Sequence, residues 1–177
     1  MNMKHLNIIA VLLVSLLSGC AGTGGSHQLI GSPMDSSEAS KFSDLLITVQ
    51  PENNVSLSQS DTDRMTKLIA EDIKTDNPSR FKTINTASPN STTLQATVAV
   101  KNYDEGNAFA RFMLAGLGQI HIDADVTLSD SLSKAKLAQY EVTKTFAWGG
   151  IYGAGTNIKD AEVGFCKGVA DSILGKE

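Results

Sequence analysis

Alternating hydrophobic and polar residues predict two strands in the second half of the chain. One run has its apolar positions at Leu94, Ala96, Val98 and Val100, and a longer one has them at Ile120, Ile122, Ala124, Val126 and Leu128. Because successive side chains of a strand point to opposite faces, each run indicates a strand buried on one side. A weaker alternation over 137–146 predicts a third strand, which would form a hairpin with residues 119–128.

Apolar residues at helical spacing, and short apolar runs, predict the remaining helices and strands. Residues 61–75 carry apolar side chains on one helical face, with Ser60 as the expected N-cap and Asp63 as its capping acid. Further strands are predicted at 45–50 and 81–86, and a last helix at 158–174. The order β-α-β-β-β-β-α predicts an α+β fold, in which an antiparallel sheet of about five strands packs two helices on one face.

The first twenty residues have the pattern of a secretory signal peptide. Lys4 lies in a short polar start, and residues 8–17 form an apolar run about half the length needed to span a bilayer. The sequence Leu17-Ser18-Gly19-Cys20 resembles the bacterial lipobox. That resemblance implies cleavage between Gly19 and Cys20 and acylation of the Cys20 thiol. Since Ala21 stands where an aspartate would hold an enteric lipoprotein at the inner membrane, we expect an outer-membrane anchor facing the periplasm.

This leader predicts three parts in the chain. Residues 1–19 would be the signal peptide, residues 20–43 the acylated cysteine and a flexible Gly/Ser-rich tether, and residues 44–177 a single α+β domain. The mature chain would have 158 residues and a net charge of −5. A mildly acidic chain without a basic cluster argues against nucleic-acid binding.

Cys166 would be the only thiol left after lipidation of Cys20. It could form an intermolecular disulfide or act as a nucleophile in an oxidising compartment. Its helical spacing with Val163, Ala170 and Ile173 favours a simpler interpretation, a small buried residue on the last helix.

Two sequence features suggest chemistry but support it weakly. His121, Asp123 and Asp125 project from one side of a strand and could ligate a metal or exchange protons, but their spacing favours a solvated outer face of the sheet. The loop Gly150–Gly155 has the spacing of a phosphate-binding loop, but Thr156 stands where lysine is required. We therefore predict no nucleotide, no cofactor and no enzymatic activity.

Two apolar loops form the strongest candidate for a binding site. The predicted hairpin brings residues 108–117 and 148–155 to the same edge of the sheet. The candidate partner-binding residues are Phe109, Arg111, Phe112, Met113, Leu117, Trp148, Ile151 and Tyr152. They would either form an exposed docking surface with Arg111 as its polar anchor, or fold over the sheet and complete the core.

The residues around these loops carry a family resemblance. Asn102-Tyr103-Asp104-Glu105-Gly106, then Ala110-Arg111, Gly116 and Gly118, and finally Val126-Thr127-Leu128-Ser129-Asp130 are similar to the pattern of bacterial lipoproteins known as domain of unknown function 4410. Ser133-Lys134 departs from the Gly-Lys that usually follows in the hairpin. The resemblance covers roughly residues 43–175 and implies an envelope lipoprotein without a catalytic residue.

Three functional hypotheses follow from these patterns. The first is a non-enzymatic envelope lipoprotein, held to the membrane by its lipid, that binds a protein partner as an accessory component of an assembly or transport system. The second is a carrier or sensor of a lipid or other hydrophobic ligand, bound between the sheet and the last helix. The third is a metal-dependent enzyme that uses His121, Asp123 and Asp125.

Overall fold

The computed structural model describes residues 24–86, 88–114 and 116–176. The predicted signal peptide, the cleavage site at Gly19 and the acylated Cys20 lie outside these residues. Six strands and five helices occur in the described part of the chain: β1 Ser26–Leu29, α1 Ser36–Ala39, β2 Asp44–Pro51, α2 Gln59–Asp76, β3 Thr83–Ile84, β4 Thr93–Asp104, α3 Ala108–Met113, β5 Ile120–Asp130, β6 Lys136–Phe146, α4 Gly150–Gly155 and α5 Ile158–Leu174.

The strands form one mixed sheet in the order β1-β6-β5-β4-β2-β3. The prediction of an α+β fold is confirmed, but that of an antiparallel sheet of about five strands is wrong. β2 lies parallel to both β3 and β4, whereas the pairs of β4, β5, β6 and β1 are antiparallel. α2 connects β2 to β3, and such a crossover returns the chain to the sheet in the same direction.

Two long helices, α2 and α5, cover one face of the sheet. The core between these helices and the sheet contains the alternating apolar residues of β4 and β5 together with Met65, Ile69 and Phe165. α2 begins two residues earlier than predicted, because Ser58 and Asp61 form the capping box expected at Ser60 and Asp63. Within the described residues, no helix combines the length and the hydropathy that crossing a bilayer requires.

The segment expected to be a flexible tether is folded from Gly24 onward. β1 pairs with the outer edge of β6, with Ser26 opposite Thr143 and Leu29 opposite Tyr140. A Cβ atom on Gly168 of α5 would lie 2.8 Å from the carbonyl oxygen of Gly25, so glycine is required for this close approach. The glycine-rich composition that predicted flexibility therefore serves backbone packing in this part of the segment.

The β5–β6 hairpin sets the position of the two apolar loops. Ile120 at the start of β5 lies opposite Phe146 at the end of β6, and β4 ends beside the same edge, with Asp104 opposite His121. α3 precedes β5 and α4 follows β6, so the two short helices contact each other at this end. The prediction that these loops are neighbours is confirmed.

Candidate functional site

An exposed apolar surface, here called the apolar tip, consists of residues 106–118 and 147–156. Ile151 is 83% exposed and Phe109 is 73% exposed. The other exposed large side chains of the tip are Phe112, Met113, Leu114, Leu117, Trp148 and Tyr152. These side chains do not complete the core, so the hypothesis that the loops fold over the sheet is wrong. Their role in binding stays a prediction.

Arg111 is buried beneath this surface, with 1% of it exposed. Its Nε donates to the Gly153 carbonyl (2.8 Å), and Nη1 donates to the Glu105 and Gly118 carbonyls (2.8 and 2.7 Å). Nη2 donates to the carbonyl of Thr156 (3.0 Å). The expectation that Arg111 is an exposed anchor for a partner is therefore wrong. The planar guanidinium instead ties α3 and α4 together through four backbone acceptors.

Local sequence explains how so short a helix as α3 forms at the tip. Asn107 caps it by accepting from the Ala110 N–H (2.9 Å). Gly118 has φ +68°, and a Cβ atom there would lie 2.4 Å from the Asn107 carbonyl oxygen. The glycine allows the end of the loop to close against its beginning, which places both backbone segments within reach of Arg111.

Aromatic contacts order the α4 side of the tip. The ring of Tyr152 packs against Phe146 and Trp148, with centroid separations of 6.0 and 6.1 Å. Phe146 belongs to the core, whereas Trp148 and Tyr152 remain exposed. Because Arg111 is the sole charged residue in the two segments and is buried, the tip presents an uncharged apolar surface. Such a surface fits an apolar partner or a lipid interface.

The carboxylates of the acidic strand face lie beside basic side chains. His121 Nε2 lies 2.6 Å from Asp123 Oδ2, and Lys101 Nζ lies 2.7 Å from both Asp125 Oδ1 and Glu141 Oε1. Hydrogen bonds to Asp125 and then Glu141 raise the pKa of Lys101, so an ammonium occupies this position. In the described parts of the chain, no group of three His, Cys, Asp or Glu side chains is arranged to hold a metal ion.

A buried ion-pair network that the sequence pattern did not predict joins α2, α5 and β4. Glu162 is fully buried, and its two carboxylate oxygens accept from Nε and Nη2 of Arg64, each at 2.6 Å. The Tyr103 hydroxyl donates to the same carboxylate, and burial with this hydrogen bond raises the tyrosine pKa. A charged residue at the helical spacing of Ile158 and Phe165 was the signal in the sequence, because it places Glu162 on the buried face of α5.

Cys166 is fully buried on α5, as its helical spacing indicated. Burial raises the pKa of its thiol well above the usual value, so the reactive thiolate is disfavoured. A position in the core is also unsuited to an intermolecular disulfide.

The chain is similar to a known protein family and to solved structures. A family model described as Domain of unknown function (DUF4410) matches residues 32–150. The PelC dodecamer from Paraburkholderia phytofirmans is similar in structure, with a TM-score of 0.54 and 10% identity over 86% of this chain and 99% of that chain. A single-residue variant of that dodecamer has a TM-score of 0.52 and 12% identity, over 86% and 98% of the two chains.

A weaker likeness links the chain to a protein from Xanthomonas campestris assigned to DUF330. It has a TM-score of 0.43 and 10% identity, over 86% of this chain and 90% of that chain. No curated protein matches the chain at a significant level. At 10–12% identity, the two PelC structures show that the fold is shared.

Proposed function

We propose a function from the premise that this chain belongs to the DUF4410 family: it is a non-enzymatic lipoprotein of the bacterial envelope, anchored through Cys20, whose apolar tip docks onto another envelope component. In this role it would serve as an accessory component of an assembly or transport system, at the periplasmic face of the outer membrane. Cys20 provides the attachment, and the tip provides the contact.

The single observation that carries this proposal is the exposed, uncharged surface built from α3 and α4. An apolar patch rimmed by polar residues marks an interaction site in proteins that are otherwise well packed. The buried Arg111 supports this interpretation, because four hydrogen bonds hold the loops in a fixed shape while their apolar side chains face outward. The two similar PelC structures are dodecamers, which supports the expectation that a domain of this fold works in contact with other proteins.

Cysteine labelling in intact envelopes tests the docking. Cysteine introduced at Ile151 should react with a maleimide in the purified protein and be protected in envelopes. Leu132→Cys is the matched control, because Leu132 is an exposed apolar residue in the β5–β6 turn, at the other end of the sheet. The buried Cys166 does not compete for the reagent in the folded protein. Equal labelling of both sites in envelopes would show that the tip does not dock.

The anchor has a separate test. Cys20→Ser should remove acylation and release the protein from the membrane or leave it as an unprocessed precursor. A processed Cys20→Ser protein that still sediments with membranes would show that the lipid is not the main attachment. The same fractionation on a sucrose gradient tests the outer-membrane assignment.

A cavity favours one second candidate, a carrier or sensor of an amphiphilic ligand. It is a cleft of about 770 Å³, partly open to solvent, between the sheet, the N-terminal segment and the end of α5, away from the tip. Leu29, Met34 and Ile173 provide apolar walls, and Arg80 adds a guanidinium whose two hydrogen bonds go to backbone carbonyls. A molecule with an acidic head and an apolar tail fits this lining. Native mass spectrometry of protein purified without detergent should then show a bound amphiphile, and its absence would count against this candidate.

A further inference from the structure

The short distance along the chain between the predicted acylation site and the first folded residue restricts how the domain sits on its membrane. The glycine- and serine-rich composition predicted a tether of some twenty residues, but the described structure begins at Gly24 and continues into β1. Only three residues, 21–23, separate Cys20 from Gly24, and four residue steps reach about 14 Å when fully extended. A domain held on so short a linker, residues 21–23, lies against the bilayer that anchors it.

β1, which follows the linker, starts near the end of the sheet that carries the apolar tip. Ser26 pairs with Thr143, and the N–H of the preceding Gly25 donates to the Gly164 carbonyl in the first half of α5. β6 continues from Thr143 for three residues to Phe146, where the tip begins, which is a distance of about 10 Å. A Cβ atom on Gly24 would lie 3.5 Å from Lys167 Cγ, and Lys167 is nine residues, or about 14 Å, along α5 from Ile158. The reach of the linker therefore about equals the distance from Gly24 to the end of α5 that adjoins the tip.

The other surfaces within reach of the linker are polar or charged. The edge of β1 exposes Ser26 and Gln28, and the neighbouring ends of α2 and α5 carry Asp76, Asp171 and Lys167. Exposed large apolar side chains elsewhere in the described residues are scattered singly, at Ile30, Leu132 and Val163. Placing a charged surface against hydrocarbon is costly, whereas an uncharged surface with exposed tryptophan and tyrosine suits the headgroup boundary.

We infer that the occupant of the apolar tip is the lipid bilayer itself, and that α3 and α4 insert at the interface beside the acyl chains of Cys20. The inference rests on the proposed function, because it identifies the component onto which the tip docks. Phe109 and Ile151 are the most exposed apolar side chains and would enter deepest, while Trp148 and Tyr152 would lie at the headgroup level. The lipid and the tip together give two attachments, which fix the orientation of the domain as well as its location.

Trp148 provides a direct test, because it is the only tryptophan in the chain. The full lipidated protein is reconstituted into vesicles of phosphatidylethanolamine and phosphatidylglycerol, with and without bromine on the acyl chains. We expect brominated lipid to quench Trp148 fluorescence and the bilayer to shield it from aqueous acrylamide. In Ile151→Asp, a carboxylate at the interface should lower the inserted population about tenfold and restore acrylamide quenching.

A relocated tryptophan serves as the matched control. The variant Trp148→Phe with Leu132→Trp carries its one tryptophan in the β5–β6 turn, which should remain open to acrylamide and unaffected by bromine. Equal bromine quenching at both positions, or none at Trp148, would overturn the inference. If Trp148 is not quenched but Ile151→Cys is still protected in envelopes, a protein occupies the tip, and the proposed docking stands without its lipid partner. If that protection is also absent, the proposed function fails as well.

Discussion

Replacing Arg111 with methionine should loosen the apolar tip while leaving the sheet intact. Methionine keeps the unbranched apolar stem of arginine but is shorter and cannot donate to the four carbonyl oxygens that the guanidinium now satisfies. Each bond from a charged donor contributes on the order of 2 kcal/mol, and the substitution also removes the cost of burying a cation. We therefore expect the free energy of opening the tip to fall by about 3 kcal/mol.

Amide hydrogen exchange measures this change one segment at a time. A loss of about 3 kcal/mol should accelerate exchange in α3 and α4 on the order of a hundredfold, because these helices pack against each other rather than against the main core. Amides of β4, β5 and β6 should exchange at unchanged rates. Arg111→Lys should give an intermediate result, since one ammonium cannot reach all four acceptors.

Lys159→Met is the matched control for the loss of a positive charge. Lys159 is exposed near the start of α5, so its replacement should not alter exchange anywhere in the tip. Unchanged exchange in α3 and α4 of Arg111→Met would refute the argument that Arg111 holds them. A uniform acceleration throughout the sheet would show instead that Arg111 stabilises the whole domain.

Three further predictions concern the rest of the domain. Glu162→Leu leaves the Tyr103 hydroxyl without its partner and Arg64 with Asp61 alone, and it should lower the free energy of unfolding in urea by about 2–3 kcal/mol; an unchanged urea midpoint would contradict this. Hydrogen bonds to Ser58 and Arg64 lower the pKa of Asp61 to about 2, and those to Lys167 and Lys176 lower the pKa of Asp76 likewise, both from 3.8. The stability that these carboxylates contribute is therefore present above about pH 4 and is lost as the pH falls towards 2, which urea titrations across this range will detect. Gly168→Ala should push the Gly25 backbone away, lower the free energy of unfolding by about 1–3 kcal/mol and accelerate amide exchange in β1. Gly175→Asn, at the left-handed C-cap of α5, is the control and should not accelerate exchange in β1.

Hydrophobic periodicity predicted the elements that make the core. β4, β5 and the hairpin followed from alternation, and the bounds of α5 agree with the expected 158–174. The same reasoning could not give the direction of β2, because alternation shows which face of a strand is buried and not which neighbour it pairs with. That direction depends on the α2 crossover, which is a property of the connection rather than of the strand.

The candidate site was predicted in position but not in internal structure. Apolar loops at one end of a hairpin placed the tip correctly, yet the lone charge among them suggested an exposed anchor. Arg111 is buried because the folded loops turn four carbonyl groups inward, an arrangement that arises only when distant segments meet. The N-terminal segment was misjudged for a related reason, since its glycines allow contact with α5, a helix formed more than a hundred residues later.

The pairing of β1 has a consequence for the maturation of the protein. β1 precedes every other element of the described chain, but its hydrogen-bonding partner β6 and its packing partner α5 are among the last segments to be synthesised. The residues next to the predicted processing point therefore have nothing to dock onto during most of translation and export. The predicted cleavage site would therefore stay open to enzymes that acylate Cys20 and remove the signal peptide, although only a few residues separate it from β1. Late pairing of β1 would thus keep the predicted processing point accessible until synthesis is nearly complete.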